Sequence, residues 1–220
     1  NKAIVIPLAY TNEALIKKAQ RFFQNYKDTR IRFTIPGGVS LFRRDYYSVF
    51  EVMENVISTK VDVELYLLGR IVHEEIIRTL KERYPKTYEI SKVFREYIPN
   101  EEYYDLLSNS HFVICPIPKD SRYGVSKMSA STEDALITGV PMILPSAYAS
   151  LIKEETENAA ITYDFQNGSL DDAIKRALNA IGDGNYERLK LQAMEHQRSR
   201  HLDSLSIGIR KELNRIFFKQ

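Results

Sequence analysis

From residue 31 onward, short apolar runs alternate with segments whose apolar positions recur every three or four residues. The first pattern predicts buried strands and the second predicts amphipathic helices. Residues 31–35 read as a strand, ended by Pro36-Gly37-Gly38. A helix over about 45–57 turns Tyr46, Val49, Phe50, Met53 and Val56 or Ile57 inward. Residues 63–68 form a near-continuous apolar strand closed by Gly69, and a helix follows near 74–83. A strand-like run at 93–98 is broken by Pro99-Asn100, and Asn100 can cap a helix through Leu107. Further strands are expected at 111–117, 140–144 and 159–163, with helices at 132–138 and 149–156. Ser169 can cap a helix to Ile181, with Asp172 completing a capping box, and the tail from 185 to 218 reads as helical in two pieces. Before this block, residues 3–8 suggest a short strand. Residues 12–26 suggest a helix with Leu15, Ile16, Ala19, Phe22 and Phe23 on one side.

Strands alternating with helices through short loops imply an α/β fold, a Rossmann-like parallel sheet with helices on both faces. Ligands of such sheets bind beyond the carboxyl ends of the strands. Two segments fit that place. In the first, the strand at 111–117 runs into a loop with Lys119, Arg122 and Lys127, then a small-residue helix start, Ser129-Ala130-Ser131-Thr132-Glu133-Asp134. Ser131 can cap this helix, with Asp134 reaching back, while Gly139 can end it and Pro141 forbids its continuation. Free backbone N–H groups and a positive dipole end then face a cleft, which suits a diphosphate, and Glu133 can hold a sugar's hydroxyls. In the second, Gly37 and Gly38 allow close approach of a ligand to the backbone, and Arg43 and Arg44 offer forks for phosphate oxygens. Taken alone, the second segment is a tight turn with two solvated arginines.

Glu133-Asp134-Ala135-Leu136, followed by Gly139-Val140-Pro141-Met142-Ile143, resembles the E-A-x-x-x-G-x-P-V-I segment of nucleotide-sugar glycosyltransferases with the GT-B fold. In those enzymes the segment lies in the C-terminal, donor-binding domain. The resemblance implies that Glu133 binds the nucleotide ribose and that Ser129, Ala130, Ser131 and Thr132 face the donor diphosphate. It also implies that Gly37 or Gly38, with Arg43 or Arg44, contacts that diphosphate. Lys127 would meet the phosphates or the transferred sugar, or else is an exposed loop lysine, and Tyr97 or Ile98 would border the base, or else belong to ordinary strand core. Arg44, Lys127 and Glu133 are thus the expected catalytic set, acting on the departing nucleoside diphosphate. The run Lys127-Met128-Ser129-Ala130-Ser131 is similar to the K-x-S-G approach of some branches. Upstream the chain departs from the pattern. Many retaining members carry a second acid before a Phe-Gly or Tyr-Gly, but Tyr123-Gly124 lies further from Glu133, Val125 stands eight before it, and Asp120 is out of register.

The same resemblance implies an organisation. Residues 1–30 would be a linker strand and helix, 31–183 the donor domain, and 184–220 helices packing back toward an N-terminal domain. The chain begins at Asn1 without a methionine, which reads as a segment of a longer protein. Expected partners are a nucleotide-sugar donor, a glycan, lipid-linked or protein acceptor, and the N-terminal domain. No metal or cofactor is expected, because enough cationic donors can neutralise a leaving diphosphate.

Composition narrows the classes. With 220 residues, 44% hydrophobic and 27% charged, the chain can bury a sizeable core. A net charge of +2 gives no field for nucleic acid, and no apolar run approaches the roughly 20 residues of a membrane span. The single cysteine, Cys115, lies in an apolar strand and reads as an inert buried thiol, which fits a cytoplasmic protein, in some cases at the inner face of a membrane. The four histidines show no metal-ligand spacing. A non-catalytic GT-B-like interaction module and a sugar-nucleotide epimerase-like protein are the alternatives.

Overall fold

The structure, a computed structural model, describes residues 10–40, 43–57, 61–119, 129–165 and 169–217. Its centre is a six-stranded parallel sheet in the order β3-β2-β1-β4-β5-β6. The strands are β1 (Ile31–Pro36), β2 (Val63–Leu68), β3 (Ser91–Val93), β4 (Phe112–Ile114), β5 (Met142–Pro145) and β6 (Ala160–Tyr163). Helix α1 (Glu13–Asn25) precedes the sheet, and the connections include α2 (Tyr46–Ile57), α3 (Glu74–Arg83), α4 (Pro85–Glu89), α5 (Asn100–Ser108) and α6 (Ala130–Thr138). After β5 come α7 (Ser146–Ala149), a 3-10 turn and α8 (Lys153–Thr156). The chain ends in α9 (Leu170–Asp183), α10 (Asn185–Ser199) and α11 (Leu202–Phe217). The α/β class with helices on both faces is therefore observed.

Alternation along the strands builds the two faces. Phe33, Ile35, Leu65, Leu67, Phe112 and Ile114 join one buried core with residues of α2, α3 and α9. Val113, Cys115, Met142 and Leu144 point the other way, into a second core with Leu107 of α5 and with Ala135 and Leu136 of α6. Strand order reverses between β1 and β4. The chain leaving β1 turns toward β2 while the chain leaving β4 turns toward β5, and a crevice opens between their carboxyl ends.

Several expected elements differ. The edge strand β3 pairs through Ser91, Lys92 and Val93 rather than through 93–98. The short α4 sets that register: Pro85 begins it, where a missing N–H costs nothing, and the Glu54 carboxylate accepts from the Thr87 N–H at 2.8 Å. Residues 149–156 form three short turns instead of one helix. Asn100 opens α5 as its first helical residue, and its Oδ1 accepts from the Tyr97 hydroxyl instead of capping. The expected strand at 3–8 lies outside the described residues.

The N- and C-terminal segments meet on α6. The Thr11 N–H donates to Arg200 O at 3.1 Å, and its hydroxyl donates to Ile137 O at 2.8 Å. The Gln197 amide also donates to Ile137 O, at 2.9 Å. No helix of the described residues is long and apolar enough to cross a membrane.

Candidate functional site

Backbone contacts beyond the strand ends fix the rim of the crevice. The Gly37 N–H donates to Leu68 O at 2.8 Å, Val39 N–H to Arg70 O at 2.9 Å, and Val72 N–H to Val39 O at 2.9 Å. The loops after β1 and β2 are thereby zipped together. Their approach needs Gly69, because a Cβ there would stand 2.5 Å from the Gly37 carbonyl oxygen. Gly37 has φ +90°, and a Cβ on it would stand 2.5 Å from Arg44 Nη2. The start of α2 is held against the end of β4, since Asp45 N–H donates to Pro116 O at 2.8 Å.

Arg44 joins the two halves of the crevice. Its Nη1 donates to Gly38 O at 3.2 Å, and its Nη2 donates to Ser131 Oγ at 2.8 Å. The Ser131 hydroxyl in turn donates to Pro36 O at 3.1 Å. Ser131 is therefore not the cap expected from sequence. The helix begins earlier, at Ala130 with Ser129 as N-cap and no side-chain cap bond, because the Ser131 hydroxyl is committed to the neighbouring strand end. The backbone N–H groups of Ala130 and Ser131 precede the first bonds of α6, which run from Thr132 and Glu133 N–H to Ser129 O, and with the helix dipole they make this end positive. A hollow of about 130 Å³ lies here, lined by Gly37, Gly38, Arg43, Arg44, Cys115, Pro116, Ile117 and Ser129 to Ser131.

A second hollow, of about 360 Å³, shares Gly37 and Gly38 and extends between Arg70, Val72, Tyr97, Ile98, Tyr103 and Asp134. It falls in the size range of small-molecule sites, roughly 300–1,000 Å³. Tyr97 is exposed at its rim. A third hollow, about 250 Å³, lies beyond Pro116. Its carboxylates Asp45, Glu51, Asp164 and Asp171 would repel a diphosphate.

The two adjacent acids of α6 part company. Glu133 lines neither crevice hollow; it is buried, and its Oε2 meets Arg200 Nη1 at 2.5 Å. Asp134, turned by the roughly 100° that one helical residue imposes, lines the larger hollow and accepts from the Tyr103 hydroxyl at 2.6 Å. Burial raises the Asp134 pKa, while the Tyr103 hydrogen bond and the Arg44 charge pull it down. The signal that marks Asp134 was in the chain: counted back from Ala135 and Gly139, the acid of an E-A-x-x-x-G pattern falls on 134. Thr132 also turns away, its hydroxyl donating to Ser129 O at 2.7 Å. Cys115 borders the small hollow, but burial pushes its thiol up to about 12. Lys127, Arg122, Asp120 and Tyr123 to Val125 lie outside the described residues. The structure thus gathers Gly37, Gly38, Arg43, Arg44 and Ser129 to Ser131 in one hollow and Tyr97 in the next, and it brings neither Glu133 nor Thr132 there.

No family model matches the sequence, and no curated protein matches it. Solved structures do match in fold. A glycosyltransferase from Rickettsia africae superposes with a TM-score of 0.66 at 12% identity, covering 99% of this chain and 58% of that one. The C-terminal domain of a group 1 family glycosyl transferase (LpcC) from Francisella tularensis gives 0.60 at 12% identity, covering 87% of this chain and 94% of that domain. A sucrose-phosphate synthase from Thermosynechococcus elongatus gives 0.61 at 16% identity, covering 95% and 51%. The chain has the fold of the C-terminal half of a GT-B glycosyltransferase, and it spans little more than half the length of the two larger neighbours.

Proposed function

We propose that this chain binds the nucleoside diphosphate of a sugar donor and supports glycosyl transfer from it. The observation that carries the reading is Arg44, held over Gly37 and bonded to Ser131 in the first turn of α6. A guanidinium, a glycine loop and a helix N-terminus there converge on one small hollow at the strand-order reversal, an arrangement matched to phosphate oxygens.

The adjoining larger hollow would take the nucleoside. Asp134, rather than Glu133, would accept hydrogen bonds from the ribose, and Tyr97, Ile98 and Val72 would border the base. Arg43 and Arg44 stand where charge grows on the departing diphosphate, and such fixed donors stabilise a transition state without reorganising. Ser131 holds Arg44 in that position. The acceptor-binding surface and any catalytic base would come from a second domain, since the two larger neighbours extend well beyond the matched half. Lys127 remains a candidate for the phosphates or the sugar.

A structure of the chain with a bound nucleoside diphosphate tests this directly. The reading expects the phosphates between Arg44 and the first turn of α6, with the ribose beside Asp134. Phosphates bound elsewhere on the chain would contradict it.

A further inference from the structure

Asp134 is singular within its helix. From Ser131 to Thr138 every other residue of α6 is buried, and Asp134 alone keeps a partly exposed side chain, which opens on the larger hollow. Among the described residues, the hydrogen bond to its carboxylate comes from Tyr103 on α5, at 2.6 Å between Tyr103 Oη and Asp134 Oδ2. Tyr103 is itself held in place. Its N–H donates to Pro99 O at 2.8 Å, and its ring meets Tyr104 edge-on at 5.2 Å. Both side chains line the same hollow, so the pair belongs to its wall.

We propose that the Tyr103 hydroxyl fixes the Asp134 carboxylate so that the cleft selects ribonucleoside diphosphates over their dideoxy counterparts. The inference rests on the nucleoside-diphosphate reading above. An ionised carboxylate only accepts hydrogen bonds, and with one oxygen occupied by Tyr103 the group offers a fixed acceptor to a ligand that donates. A vicinal diol does so, whereas a phosphate does not and is repelled. The pair therefore also helps to orient the ligand: the hollow with Arg43 and Arg44 takes the diphosphate, and the wall of the larger hollow at Asp134 takes the sugar. Without the diol, the acceptor positions that Tyr103 leaves open on this half-buried carboxylate lose their donors, so a site of this kind rejects the deoxy analogue. Tyr103 is a positioning residue here, acting through Asp134.

The test compares the affinity of the wild-type chain for UDP, GDP and ADP with that for their 2′,3′-dideoxy forms, then repeats the best pair on Tyr103→Phe and Asp134→Asn. Phenylalanine keeps the ring packing and removes the hydroxyl. Wild type should prefer the ribonucleotide by at least about tenfold. Tyr103→Phe should cut that ratio several-fold by weakening the ribonucleotide alone, and Asp134→Asn should bring it close to one. A variant that merely loosened the fold would weaken both ligands alike. An unchanged ratio in Tyr103→Phe would overturn the inference while leaving diphosphate binding intact. Equal wild-type binding of both forms would remove the diol role of Asp134 as well. No binding of any nucleoside diphosphate would overturn this inference and the reading beneath it together.

Discussion

Glu133 and Arg200 form a buried ion pair, with 8% and 4% of their side chains exposed, that ties helix α6 to the point where the chain leaves α10. The Thr11 N–H donates to the Arg200 carbonyl beside it, so the incoming and outgoing segments share one anchor. Glu133 acts as a fastener in this arrangement. Replacing Arg200 leaves the buried Glu133 carboxylate without this cation, at a cost of about 3–5 kcal/mol.

Arg200→Met should therefore lower the thermal midpoint strongly, and Glu133→Leu combined with it should restore much of the loss. Thermal denaturation of both single variants and the double variant measures the coupling. Additive losses would show that the pair contributes little beyond its separate side chains.

Gly69→Ala should damage the cleft from outside it. The added methyl meets the Gly37 backbone at 2.4–2.5 Å, and backbone on a zipped rim has little room to give. The loop after β1 must shift and carry with it Gly38, whose carbonyl holds Arg44. Nucleotide affinity should fall by at least about tenfold, with a lower thermal midpoint. Titration and denaturation of the same variant check both.

Two buried groups should each contribute stability that rises with pH. His111 receives the Arg32 N–H on Nδ1 at 3.1 Å, which places its proton on Nε2 toward Tyr26 O. Burial lowers its pKa from 6.5 to about 4. Lys190 is fully buried, donates to Gly139 O at 2.7 Å, and burial lowers it from 10.5 to about 7. In each case the folded state binds fewer protons than the unfolded state between the two values, so raising the pH there stabilises the fold. The His111 contribution should raise denaturant midpoints from pH 4 to 6.5, against an opposing contribution from Asp134, and Lys190 should raise them from pH 7 toward 10. Lys190→Met should flatten the upper climb.

Much of the fold was legible because local and tertiary signals agree. The run at 63–68 and the helix at 74–83 appear as read, and Asn12 caps α1 through the Leu15 N–H at 3.0 Å. Gly139 ends α6 in the left-handed conformation at φ +61°. Disagreement arose where tertiary contacts override local preference. Ser131 looks like a cap, yet its hydroxyl is taken by Pro36 and Arg44. The run at 93–98 looks like a strand, yet the short α4 before it places the edge strand earlier. Of the crevice, the glycine and arginine segment and the Ser129–Ser131 turn were visible as separate motifs, and the parallel order of β1 and β4 explains why they meet. Which of two adjacent acids lines the larger hollow is a matter of helix phase, set by the packing of Ala135 and Leu136 into the second core.

The measurement that bears most directly on the central claim is calorimetric titration of the chain and of Arg44→Ala with UDP, GDP and ADP. The account predicts saturable binding of at least one diphosphate by the wild-type chain, and a loss of about tenfold or more in the variant, as expected when charge-assisted bonds to phosphate are removed. Binding that survives Arg44→Ala undiminished, or a folded wild-type chain that binds none of the three, would contradict it.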